Sequence, residues 1–122
     1  MTRPEPNALL PLSALDFHVL LVLERGALYG YAIMKAVEEE SAGRIRPEIG
    51  SLYRVLARLM GQELVEEAPT PMRARETHPG RDRKYYRLTA AGRAVARAEA
   101  VRLREVVELA RSRDLLPGGS AP

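Results

Sequence analysis

The side chains in this sequence that can do chemistry are mostly cations. Its 122 residues include 19 Lys or Arg, 16 Asp or Glu, two His and no Cys. Without cysteine there is no disulfide framework, thiolate zinc site, iron–sulfur centre or thiol nucleophile. His18 and His78 have no second ligand at metal spacing, and Glu38, Glu39 and Glu40 read as a solvated helix end. No nucleophile–base pair and no phosphate-cradling glycine loop occurs, so the expectation is no enzyme, no cofactor and no metal. What remains is the chemistry of guanidinium and ammonium groups, which is anion recognition. From Pro69 to Leu88, Arg73, Arg75, Arg81, Arg83, Lys84 and Arg87 stand against Glu76 and Asp82, an excess of four positive charges, whereas Met1 to Met60 holds seven of each sign. Such a stretch suits nucleic-acid phosphate, and it equally describes a solvated loop whose arginines meet only water.

The elements that must hold these cations follow from spacing. Hydrophobic residues make up 46% and charged residues 29%, enough for one soluble domain with a modest core. Met1 to Leu12, with Pro4, Pro6 and Pro11, is expected to be extended and flexible. It lacks a signal-peptide pattern, and no apolar run reaches spanning length, so a cytoplasmic location without a membrane partner is expected. Ser13 with Asp16 resembles a capping box opening a helix to Arg25, apolar on nearly every face, which suggests burial on a second side by a partner subunit. A second helix starts near Gly30 with Ile33, Met34 and Val37 inward and ends at Gly43. A third follows Pro47, placed in its first turn, with Ile49, Leu52, Leu56 and Leu59 on one face. Pro47, Gly50, Ser51, Arg54, Ala57 and Arg58 lie opposite, a face able to enter a groove. Leu64 to Glu67 and Lys84 to Leu88 read as two strands around a long basic loop. Thr89 caps a helix from Ala90 to about Asp114, roughly 36 Å long and too long to lie wholly on so small a core. Its stripes Val95, Ala98, Arg102, Val106, Leu109 and Ala96, Leu103, Val107, Ala110 predict a homodimer. The predicted fold is mainly α with a small two-stranded antiparallel wing: 1–12 flexible, 13–89 a winged helix-turn-helix, 90–114 a C-terminal dimerisation helix and 115–122 a flexible tail.

Three segments resemble the PadR family of bacterial transcriptional regulators. They are Gly26 to Ile33 (GALYGYAI), Pro47 to Leu59 (PEIGSLYRVLARL) and Arg83 to Arg93 (RKYYRLTAAGR). The family usually has His-Gly-Tyr in the first, Pro-Ser-x-Gly-Thr-Leu-Tyr-Pro-x-Leu-x-Arg-Leu in the second, and the second wing strand running into the dimerisation helix in the third. Tyr29 stands where His is common. Arg54 stands where Pro is common, and so adds a charge to the reading face.

The resemblance implies a homodimeric winged-helix protein that binds operator DNA at an inverted repeat, usually represses, and is released by a small ligand or other signal. In some relatives that ligand is held on tryptophan, which this chain lacks. On this reading Ser51, Arg54 and Arg58 lie in the major groove, Arg54 making a bidentate guanine contact worth ~1–3 kcal/mol of discrimination. Without the resemblance, Arg54 and Arg58 read as a solvated i,i+4 pair. Lys35 and Arg46 are expected on phosphates or on a solubilising surface. Arg73, Arg75, Arg81 and Arg83 are expected in the minor groove or on phosphates. Tyr53 packs inward, with its hydroxyl in reach of a phosphate. Leu15, Val19, Val22, Val95, Leu103, Val106, Val107 and Ala110 are expected at the dimer interface. The alternative is a winged-helix module that docks a protein and does not bind DNA.

Overall fold

The structure, a computed structural model, describes residues 5–72 and 83–117. Its first element departs from expectation. Residues Pro6–Leu9 form a short 3-10 helix with Pro6 at its start, where a fixed φ and a missing N–H cost nothing. Leu9, Leu10 and Leu12 then pack on the core, so residues 5–12 are docked where the sequence reading has a flexible tail.

Helix α1 (Ala14–Glu24) starts as its capping pattern predicts: the Ser13 hydroxyl accepts the Asp16 N–H at 3.0 Å. Most of its apolar surface, Leu21 excepted, is covered within the chain, because α1 packs on α2 (Gly30–Glu40), on the long helix α4 (Ala90–Ser112) and on the sheet. Val19, Leu20, Val22 and Leu23 are all buried. This corrects the expected interface roles of Val19 and Val22, and of Val95 on α4, since all three lie in the chain's own core. Leu15 is half-buried against that core.

Helix α3 (Ile49–Gly61) buries Leu52, Leu56 and Leu59 against α2 and β2, as the spacing requires. Ile49 does not join them: it opens the first turn beyond the edge of the core and is exposed. Pro47 precedes the N-cap Glu48 and so lies outside the first turn where it was expected.

The sheet has three strands where two are expected. Strands β2 (Val65–Ala68) and β3 (Tyr85–Leu88) pair antiparallel, with Val65 opposite Leu88 and Ala68 opposite Tyr85. Strand β1 (Leu28–Tyr29) pairs antiparallel on the other edge of β3, giving the order β1-β3-β2. Two residues are too few to show alternation in a sequence.

The Thr89 hydroxyl accepts the Gly92 N–H at 3.0 Å and caps α4. Thr89 also donates its own N–H to the Leu64 carbonyl at 3.1 Å, which draws α4 close to the residue leading into β2. Gly92 is required there: a Cβ at that position would lie 2.1 Å from the Leu64 oxygen. Val95 and Glu99 are buried, but farther along Val101, Val106, Val107 and Leu109 are exposed. Among the described residues, no helix is long and apolar enough to cross a membrane.

Candidate nucleic-acid interface

The outer face of α3 is built by the burial of its inner one. With Leu52, Leu56 and Leu59 in the core, Gly50, Tyr53, Arg54, Ala57 and Arg58 must be exposed, and they are. Arg54 donates from Nη2 to the Ser51 hydroxyl at 3.0 Å. This bond spans one turn, at an exposed position where water competes for both groups. The Arg54 guanidinium is therefore available to a better acceptor. Arg58 differs. Its Nη2 donates to Asp16 Oδ1 at 2.8 Å, and that hydrogen bond, reinforced by the carboxylate's charge, raises the guanidinium pKa against the opposing effect of burial. The Arg58 side chain is still 49% exposed, so it faces both α1 and solvent.

Beside α3 lies an open groove of about 510 Å³ lined by Tyr29, Gly30, Tyr31, Tyr53, Arg83, Lys84 and Tyr86. Its parts come from three places: the β1–α2 junction, α3 and the start of β3. The Arg83 guanidinium carbon sits 4.4 Å from the centroid of the Tyr29 ring. The same ring meets Tyr85 edge-on at 5.6 Å between centroids. Tyr29 is thus a platform that holds the first described cation after the wing loop. Tyr53 lies over Gly30, where a Cβ would stand 2.6 Å from its hydroxyl oxygen, so the missing side chain is what admits the tyrosine. Tyr86 is only 5% exposed. Burial, and to a lesser degree Tyr53 and Glu67 nearby, push its pKa up and keep its hydroxyl a proton donor. Helix α2 begins at the same groove with no side-chain cap and no acidic residue in its first turn. Its leading amides, which a helix start leaves without intrahelical partners, receive no bond from the N-cap side chain and can serve an acceptor.

Lys35 and Arg46 lie apart from this groove. Lys35 Nζ is 5.8 Å from the Tyr31 ring centroid, and Arg46 Nε donates to the Gly43 carbonyl at 3.1 Å. They share a shallow depression with Glu38 and Glu39, whose charges offset theirs, whereas no carboxylate lines the tyrosine groove among the described residues. Arg73, Arg75 and Arg81 lie outside the described residues. On α4, Leu103 and Ala110 are half-buried while Val106 and Val107 are exposed. The described residues contain no group of three or more His, Cys, Asp or Glu able to hold a metal ion.

The structure thus brings Ser51, Tyr53, Arg54, Arg58 and Arg83 to one side of the molecule and leaves Lys35 and Arg46 among acidic neighbours. Sequence reasoning missed Gly30, Tyr29 and Lys84 as parts of one groove. The available signal was the company they keep: each of the chain's five tyrosines adjoins a glycine or a cation in sequence, and four of the five line this groove.

Comparison with known proteins bears on the fold and the family. A curated protein of Streptomyces fradiae, described as an uncharacterized 37.1 kDa protein in transposon TN4556, is 43% identical over 82 residues, which is 67% of this chain and 21% of that protein. The chain thus spans about a fifth of the length of that relative. A crystal structure of a PadR family transcription regulator from Clostridium difficile superposes with a TM-score of 0.67 at 23% identity, covering 82% of this chain and 97% of that one. Bacillus subtilis PadR, solved in complex with operator DNA, superposes with a TM-score of 0.59 at 23% identity, covering 72% of this chain and 47% of that one. These likenesses show the fold. The family profile matches residues 19–98, from the middle of α1 to the middle of α4, and the chain belongs to the transcriptional regulator PadR-like family.

Proposed function

We propose that this chain is a sequence-specific DNA-binding transcriptional regulator acting as a cytoplasmic homodimer, and that it represses until a small ligand or other signal releases it. The observation that carries the reading is the adjacency of two surfaces: the exposed Ser51–Arg54 face of α3 and the tyrosine groove bordered by Arg83 and Lys84. On this reading α3 enters the major groove and Arg54 exchanges its weak bond to Ser51 for the two acceptors on a guanine edge. A backbone phosphate sits in the tyrosine groove. It accepts hydrogen bonds from Tyr53, Tyr86 and the first amides of α2, while Arg83 and Lys84 neutralise it. Arg73, Arg75 and Arg81 are taken to meet the minor groove or phosphates, and Lys35 and Arg46 give weaker phosphate contacts.

Two copies are needed to read an inverted repeat. The exposed apolar residues Val101, Val106, Val107 and Leu109 supply a surface for the second copy, with Leu103 and Ala110 beside them and Leu21 of α1 exposed as well. The relative of known structure with operator DNA supports the same partner for this chain.

The test is selection of binding sites from random duplexes by the purified protein. The expected product is an inverted repeat, bound with an affinity that falls steeply as salt rises, and Arg54→Ala is expected to relax the choice at one base position per half-site. Recovery of no preferred sequence, with a protein partner captured on the α3 face, would favour the docking module.

A further inference from the structure

We propose that Asp16 and Glu99, both buried, are positioning residues that set the angle of α3 against α4 through one continuous polar relay. The inference rests on the DNA-binding reading above and extends it to the question of how two recognition helices keep a fixed relation. The relay has four links. Glu99 of α4 is 1% exposed and accepts the Leu12 N–H on Oε2 at 2.8 Å. Arg102 grips the same carboxylate through Nε and, at 3.1 Å, through Nη2. Leu12 is followed by Ser13, whose hydroxyl caps α1 by accepting the Asp16 N–H at 3.0 Å. Asp16, 7% exposed, then holds Arg58 at 2.8 Å in the last turn of α3.

Each link does something that packing does not. Helix α3 rests by its apolar face on α2 and β2, and apolar burial is non-directional, so by itself it fixes an orientation less sharply than a hydrogen bond does. Among the described residues, the Asp16–Arg58 pair is the hydrogen bond joining α3 to α1, and it grips the end of α3. Asp16 can serve as a fixed post because its own helix start is pinned by Ser13 and, one residue earlier, by Glu99. Glu99 lies on α4, the helix that offers its apolar surface to a second copy. A buried carboxylate is costly compared with an apolar residue of similar size, so two of them in sequence are poorly explained by stability alone and well explained by a need for direction. Arg58 is correspondingly an anchor for α3, and its outward half is what remains for DNA.

The geometry predicts a signature that direct contacts lack. A residue touching DNA affects binding to one half-site and to two. A residue that sets the angle between recognition helices matters only when both must seat together. Using the duplex enriched by wild-type protein and a second duplex holding one half-site, Glu99→Gln and Asp16→Asn are each expected to weaken two-site binding about tenfold. Half-site binding should stay within about twofold for Glu99→Gln, whose side chain touches none of the proposed DNA-contacting residues. Arg54→Ala should weaken both. A measurement without DNA separates failure of the relay from failure of the DNA reading: in ¹H–¹⁵N spectra of the folded protein, Glu99→Gln should move the Arg58 Nε–Hε resonance, although three hydrogen bonds and a peptide bond lie between the two side chains. An unmoved Arg58 resonance, or equal loss on both duplexes, overturns the proposal. Should Asp16→Asn fail to fold, Glu99→Gln carries both readouts.

Discussion

Replacing glycine with alanine at two helix starts is expected to have opposite consequences, and the difference is set by what the new methyl group meets. At Gly92 the Cβ would lie 2.1 Å from the Leu64 carbonyl oxygen, a backbone atom that also accepts the Thr89 N–H. Ordinary contact needs more than an ångström of extra room, and neither α4 nor the chain leading into β2 can give it without losing that bond. The cost should reach the upper end of overpacking penalties, about 3 kcal/mol, which for a domain of this size lowers Tm by about 10 °C. At Gly30 the obstacle is the end of the Tyr53 ring, with its hydroxyl oxygen at 2.6 Å and its Cζ at 2.8 Å. Tyr53 is 47% exposed and can swing into solvent. The fold then loses little, and alanine regains roughly 0.4–1 kcal/mol by restricting the unfolded chain. What Gly30→Ala removes is the Tyr53 hydroxyl from the groove proposed to hold a phosphate. A hydrogen bond to a charged group contributes about 1.5–3 kcal/mol, and at a half-exposed site the lower figure applies, a loss of about tenfold in affinity. Circular-dichroism melts and fluorescence anisotropy on the enriched duplex read the two effects. Gly30→Ala should melt within a few degrees of wild type, on the order of 5 °C at most, and bind about tenfold more weakly. A Gly30→Ala protein that binds as wild type, or that melts as low as Gly92→Ala, would refute the reasoning.

Two further outcomes are expected. The Glu99 carboxyl lies below the ordinary glutamate range, chiefly through its hydrogen bond to Arg102, with the Leu12 N–H and the charge of Arg102 adding to the effect and burial opposing it. A folded-state pKa below the unfolded one gives stability that is complete at neutral pH and is lost as pH falls through the folded value. Chemical denaturation from about pH 7 to about pH 3 should therefore show a smaller acid loss for Glu99→Gln than for wild type, and parallel curves would contradict the assignment. Val106→Asp puts a charge into the exposed apolar stretch of α4 and should halve the mass measured by light scattering at micromolar concentration; an unchanged mass would remove α4 from the subunit contact.

What could be read in the sequence is what depends on neighbours in sequence. The spacing of Leu52, Leu56 and Leu59 gives α3 and its outward arginines. Ser13 and Thr89 announce the two helices they cap, and the two tyrosines of β3 both find buried places. The sequence is silent where partners are far apart. Asp16 is 42 residues from Arg58, and Leu12 is 87 from Glu99, so nothing local marks these carboxylates as structural posts. Val19, Val22 and Val95 show the related failure: an apolar stripe states that it will be buried but not by what, and here the chain's own helices and sheet do it. The first segment misled for a simpler reason, because its prolines fit the start of a 3-10 turn as well as an extended strand.

The central claim is that the Ser51–Arg54 face of α3 reads bases while the adjoining groove holds backbone. Anisotropy titrations of wild type and Arg54→Ala, on the selected duplex and on a scrambled one of equal length across a range of salt, test it most directly. The account predicts that wild type prefers the selected duplex, that Arg54→Ala reduces this preference by roughly 1–3 kcal/mol, and that binding to the scrambled duplex keeps its steep salt dependence. Equal affinity of wild type for both duplexes, or an Arg54→Ala protein that discriminates as well as wild type, would contradict it.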